Sequence, residues 1–148
     1  MLRFQIGAKP LTTELVESEE LLADPEILPS DGAEPLQIGR RTYYIRRANR
    51  RERPREALRV FLPTSGDATP YVATGLATVR LSEDANLAEV IANIENLGLE
   101  IVRRLGRGVV VGPANADPDE ALVLIPALKN LPGVARVEPQ MVTMKFNR

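Results

Sequence analysis

The amino-acid sequence predicts an α+β fold, and three observations carry the prediction. Ala77, Val79 and Leu81 alternate with Thr78 and Arg80, the pattern of a strand with one apolar face. Leu87, Val90, Ile91, Ile94 and Leu97 then switch to helical spacing and form one continuous stripe. After the turn Gly106-Arg107-Gly108 the two periods recur, so that residues 76–146 read strand, helix, strand, strand, helix, strand. That order predicts a ferredoxin-like split βαβ (βαββαβ) arrangement, an antiparallel sheet with two helices on one face and the other face free.

Each element of this half has its own punctuation. Ser82 or Asp84 precedes the first helix as a capping residue, and Gly98 stands where a left-handed C-terminal residue is needed. Leu99 and Ile101 open the second strand, and Val109-Val110-Val111 the third. Asp117-Pro118-Asp119-Glu120 reads as a helix start, with Asp117 as cap, Pro118 in the first turn and Glu120 closing a capping box. Leu122, Ile125, Leu128 and Leu131 recur every three residues; Pro126 among them predicts a kink or a loose first turn. Pro132-Gly133 stops the helix, and residues 134–138 form the last strand.

The first half is less regular. Leu2, Phe4 and Ile6 predict a short strand, and Thr12-Thr13 predicts the cap of an acidic helix ended by Pro25. Residues 24–35 hold three prolines, Ser30, Asp31 and Gly32 and read as a loop. Thr42-Tyr43-Tyr44-Ile45 and Leu58-Val60-Leu62 predict two strands, with 46–55 as an exposed connection. The expected organisation is a β-rich N-terminal extension over 1–70 and a ferredoxin-like domain over 71–148.

Composition narrows the chemistry. The chain has 44% hydrophobic residues but 4% aromatic ones, so its core is aliphatic. It has no His and no Cys. Ser-His-Asp and Cys-His catalysis, disulfides and the usual zinc sets are therefore excluded. No motif asks for a metal or a cofactor, and the carboxylates at 82–84 and 117–120 are explained by helix capping; the expectation is a non-enzyme. No apolar run is long enough to span a bilayer. The start MLRFQIGAKP lacks the apolar segment of a secretory signal, which predicts a cytoplasmic protein, exported only if an upstream segment precedes it.

The net charge of −1 conceals a marked asymmetry. Residues 1–39 carry eight acids and two bases, whereas 40–59 carry nine Arg and two Glu. Arg46, Arg47, Arg50, Arg51, Arg53 and Arg55 form a candidate patch for an anionic partner. Tyr43 and Tyr44 beside it suit stacking on bases, but acids of 14–34 are available to neutralise the patch within the molecule, and exposed arginine also keeps strand edges soluble. Nucleic acid therefore ranks below an anionic protein surface.

Two stretches of the second half resemble the prodomains of subtilisin-like proteases. Leu97-Gly98-Leu99-Glu100-Ile101-Val102-Arg103 is similar to the family's "LGLEVV" step, and Leu131-Pro132-Gly133-Val134-Ala135-Arg136-Val137-Glu138-Pro139 to its "LPGVxxVEPD" ending. The resemblance covers about 75–148. It implies a protease inhibitor or intramolecular chaperone that binds a subtilisin-like serine protease through the free sheet face and an extended C-terminal tail. The implied contact residues are Glu138, Pro139, Gln140, Met141, Val142, Thr143, Met144 and Lys145, with Glu138 capping helices of the protease and Met144 or Lys145 nearest the scissile position. Gln140 departs from the family, which often carries a second acid there.

A plainer reading of 134–148 is an edge strand with a frayed end, of Glu138 a solvated carboxylate, and of Pro139 a block to edge pairing. The alternative function is a non-inhibitory protein-interaction module on the same fold, pairing as a homo-oligomer through sheet edges. The two readings predict different tails: accessible in an inhibitor, held in a sheet in a module.

Overall fold

The computed structural model describes residues 2–7, 12–25, 35–38, 40–47, 57–65, 69–115 and 117–143. Nine strands and three helices follow one another in these residues: β1 Arg3–Ile6, β2 Thr13–Asp24, β3 Pro35–Ile38, β4 Arg41–Arg47, β5 Leu58–Pro63, β6 Tyr71–Leu81, α1 Leu87–Asn96, β7 Leu99–Leu105, β8 Gly108–Pro113, α2 Glu120–Val123, α3 Ile125–Lys129 and β9 Val134–Thr143. The chain divides into two compact units, one of Met1–Thr74 with Met141–Arg148 and one of Gly75–Gln140, the boundaries falling inside β6 and β9.

The ferredoxin-like expectation is corrected. Strand accounts for 58% of the described residues and helix for 17%, and three short helices stand in place of the two expected. Two local causes are visible. Residues 13–24, expected as an acidic helix, form a twelve-residue strand, and the second expected helix is split. The described residues of the first half form strands with a buried cluster among them.

In the first unit β2 is the organising strand. β5 pairs along one edge, while β1 and β4 take successive parts of the other, all antiparallel. β3 pairs with β4, and the first residues of β6 pair with β5. The glutamates of β2 favour helix locally, but a segment paired on both edges gains ladder hydrogen bonds and cross-strand contacts that override so weak a preference. Val60 and Phe61 are adjacent in β5, point to opposite faces, and are both fully buried. One face joins Val60 with Ala23, Leu36, Tyr43, Leu58 and Val72. On the other side Phe61 stacks at a tilt on Phe4, with ring centroids 5.5 Å apart.

β2 carries a wide irregularity against β5, because Glu17 pairs with Phe61 but Leu22 already pairs with Arg59. Five steps on β2 therefore match two on β5. Ser18 closes the excursion, its Oγ accepting from the amides of Glu20 at 3.3 Å and Leu21 at 3.1 Å. Below it the buried Glu17 carboxylate accepts from the Leu2 amide at 3.1 Å and from Arg59.

In the second unit β8 lies between β6 and β7, and β9 pairs with β6. Val79 pairs with Val109 and Ala77 with Val111, so these four buried side chains share one face. α1 buries Val90 and Ile94 of its predicted stripe. Its cap is Asn86 rather than Ser82 or Asp84, with Asn86 Oδ1 accepting from the Glu89 amide at 3.2 Å. Gly98 follows the helix at φ 88°, the left-handed conformation expected of it.

Pro126 settles the shape of the second helical segment. With no N–H to donate four residues back, it cannot continue a helix from Glu120. The helix breaks at Leu124, and Pro126 falls in the first turn of α3, where its missing N–H costs nothing. The expected capping box at Asp117 and Glu120 is also corrected. Asp117 Oδ1 accepts from the Asp119 amide at 3.0 Å, and Glu120 accepts from Asn115 Nδ2 and from the Ala114 amide at 3.4 Å. The acids order the loop before the helix instead of capping each other.

Candidate interaction surface

The C-terminal residues named as protease contacts lie in β9 for as far as the structure describes them. Within the second unit, Glu138 is half-buried and accepts from the Arg136 guanidinium, two residues back on the same strand face. Pro139 is buried, and Gln140 Nε2 donates to Thr78 Oγ1 of β6 at 3.4 Å. Within the first unit, Met141 and Val142 are half-buried, Val142 packs against the cluster around Val60, and Thr143 ends the strand exposed. Met144 and Lys145 lie outside the described residues. A proline within a strand belongs at an edge, where its missing N–H breaks no ladder bond. β9 meets that condition, since β6 is its one partner among the described strands.

The arginine patch is only partly visible. Arg46 belongs to an ion pair, with Nε 2.8 Å and a terminal nitrogen 2.7 Å from Oδ2 of the buried Asp24. Arg47 is exposed at the end of β4. Arg50, Arg51, Arg53 and Arg55 lie outside the described residues. Tyr43, named as a stacking platform, is buried in the core, with the Arg41 guanidinium 5.9 Å above its ring. Together with Glu17–Arg59, the Asp24–Arg46 pair shows acids of the 14–34 segment neutralising arginines of the 40–59 segment, which leaves less charge facing outward.

A pocket of about 240 Å³ opens at the start of α1, lined by Ser82, Asp84, Asn86, Glu89, Pro132 and Gly133 among others. It is smaller than the roughly 300 Å³ at which ligand sites begin. Two of its polar side chains are engaged, Ser82 Oγ donating to the Gly133 carbonyl at 3.2 Å and Asn86 capping the helix. Among the described residues no three His, Cys, Asp or Glu side chains come together as a metal site, and no helix is long and apolar enough to cross a membrane.

What sequence reasoning missed is the bulge in β7 and the side chain it exposes. β7 pairs with β8 on one side and has no described strand on the other. A bulge between Ile101 and Arg103 makes Val102 the extra residue, and Val102 is 48% exposed, one of two large exposed hydrophobic side chains among the described residues. Leu99 and Ile101 signalled the strand, but a bulge breaks the alternation from which exposure is read.

No family model matches the chain, and no curated protein or solved structure is significantly similar to it. The resemblance to subtilisin-type prodomains therefore rests on the two motif stretches alone.

Proposed function

We propose that the chain is a protein-interaction module that works through its sheet and does not inhibit proteases. The observation that carries this reading is the course of β9. An inhibitory tail must leave its own domain and lie extended in a cleft, with main-chain groups free to pair with the protease. Here residues 138–143 belong to a strand, Pro139 is buried, and Val142 contributes to a core. Glu138, the residue that would cap helices of a protease, is already engaged by Arg136. Sheet edges and exposed strand residues remain as the contact surface, and their main-chain groups suit pairing with another strand.

The test is a titration of a subtilisin-type protease with the full chain and with a chain ending at Pro139. The module reading expects no inhibition by the folded full chain. Tight inhibition that disappears on truncation would overturn it and restore the tail-in-cleft mechanism.

A further inference from the structure

We propose that β7 accepts an acidic, extended segment of a partner protein as an added strand, with Arg103 and Arg104 holding two adjacent carboxylates, one on each face of the sheet. The inference rests on the interaction-module reading and names the chemistry of the partner. Four strands present an edge without a described neighbour: β1, β3, β7 and β9. β1 and β3 have four residues each, β3 begins with Pro35, and β9 carries Pro139. β7 offers seven residues, Leu99–Leu105, with neither Pro nor Gly among them. It is the edge most able to donate and accept main-chain bonds to an incoming strand.

Charge decides what kind of strand fits. The second unit, Gly75–Gln140, carries nine acids against six bases, yet four of those bases gather at one end of its sheet. Arg103 and Arg104 lie toward the C-terminal end of β7, Arg107 stands in the turn to β8, and Arg80 of β6 pairs with Gly108 at the start of β8. All four are exposed. Most of the acids lie on or just before the helices. Arg107 reaches Glu83 at 3.5 Å in an ion pair open to solvent on both sides. Among the described residues no carboxylate pairs with Arg80, Arg103 or Arg104. A polyanion such as nucleic acid would use these arginines but brings no strand backbone to the free edge of β7, whereas an acidic strand uses both.

The bulge sets which residues of β7 share a face. Glu100 pairs with Gly112 and Arg103 with Val110, two residues apart on β8, so Glu100 and Arg103 lie on one face. Val102 is on that face too, since a Cβ added to Gly112 would come within 3.2 Å of Val102 Cγ2. Arg104 pairs with Val109 and belongs to the other face. Consecutive residues of an added strand point to opposite faces, so two neighbouring acids would meet Arg103 on one side and Arg104 on the other. An acid placed opposite Glu100 would be repelled, which confines the carboxylates to the arginine end and fixes the register. Glu100, Val102, Arg103 and Arg104 are all exposed, so pairing requires no rearrangement of the core. Arginines at this edge turn away neutral and basic strands and admit an acidic one.

Fluorescence anisotropy tests the proposal, with the full chain titrated into a labelled peptide of valine and threonine that carries two adjacent glutamates. Arg103→Glu, Arg104→Glu and the double variant are measured beside the parent, and circular dichroism checks that each remains folded, as exposed positions should. The expected result is saturable binding, weakened about fivefold or more by either single substitution, since an attractive pair becomes repulsive. The double variant should instead bind the peptide in which lysines replace the glutamates. The same two glutamates set between prolines, which cannot form a ladder, should not bind. No binding of the glutamate peptide, equal binding of the proline peptide, or a preference for a single-stranded oligonucleotide would overturn the proposal. Titration of the same preparations against the subtilisin-type protease separates the two readings: inhibition removes the module itself, whereas a chain that neither inhibits nor binds the peptide removes only this interface.

Discussion

Arg59 of β5 donates to the Glu17 carboxylate of β2, and this buried ion pair sits where the ladder between the two strands is irregular. Glu17 also receives the Leu2 amide at 3.1 Å, while its own amide donates to the Leu2 carbonyl at 2.9 Å. One carboxylate thus ties together β5, β2 and the residue that leads into β1. Its side chain is 5% exposed and that of Arg59 is 18% exposed. At this depth the pair is a poor source of net stability, but losing one member leaves a charge buried without its counterpart.

Glu17→Ala is therefore expected to destabilise the chain by about 3 kcal/mol, read by urea denaturation. Adding Arg59→Met to it should recover part of the loss. Equal stability of Glu17→Ala and the parent would mean that the pair is solvated.

Gly108 begins β8 where an added Cβ would stand 2.6 Å from the Val79 carbonyl oxygen, a backbone atom that cannot step aside. Gly108→Ala should cost about 1–3 kcal/mol in the same measurement. Gly112→Ala meets the side chains of Leu76 at 2.8 Å and Val102 at 3.2 Å, which can rotate, and should cost less. The reverse ranking would contradict the β6–β8 register.

Pro126 gives a prediction of small effect. Were it strained inside a continuous helix, Pro126→Ala would stabilise by about 3 kcal/mol. In the first turn of α3 it is well placed, and the substitution should change stability by less than about 1 kcal/mol. Thermal unfolding followed by circular dichroism distinguishes the two.

Removal of residues 141–148 should lower stability by about 1–3 kcal/mol, because it takes away the last three residues of β9 and the packing of Val142. A detached tail would be removable without effect on denaturant midpoint.

The second half was legible element by element because its patterns agree with its punctuation. The stripe of α1, the left-handed Gly98, the Gly106–Gly108 turn and the disruptive Pro126 each act locally. The fold class was not legible from them, since it depends on what the first half does. There Thr13–Asp24 reads as helix from its glutamates, and only its partners on both edges make it a strand. β3, with four residues after a proline-rich stretch, gave no periodic signal at all. Of the candidate surface, Glu138 was placed in a last strand, but that the strand continues through Pro139 to Thr143 depends on pairing with β6, which no residue type announces. Val102 was hidden for a different reason: its exposure comes from a bulge, and a bulge is a property of two strands together.

The central claim, that the C-terminal segment is part of a sheet rather than a free arm, is tested most directly by amide hydrogen exchange along residues 134–143. A strand that continues past Pro139 predicts that protected amides occur on both sides of the proline, including among Met141–Thr143. Protection that stops before Pro139, with later amides exchanging as in an unstructured peptide, would contradict the account and return the tail to the role of an inhibitory arm.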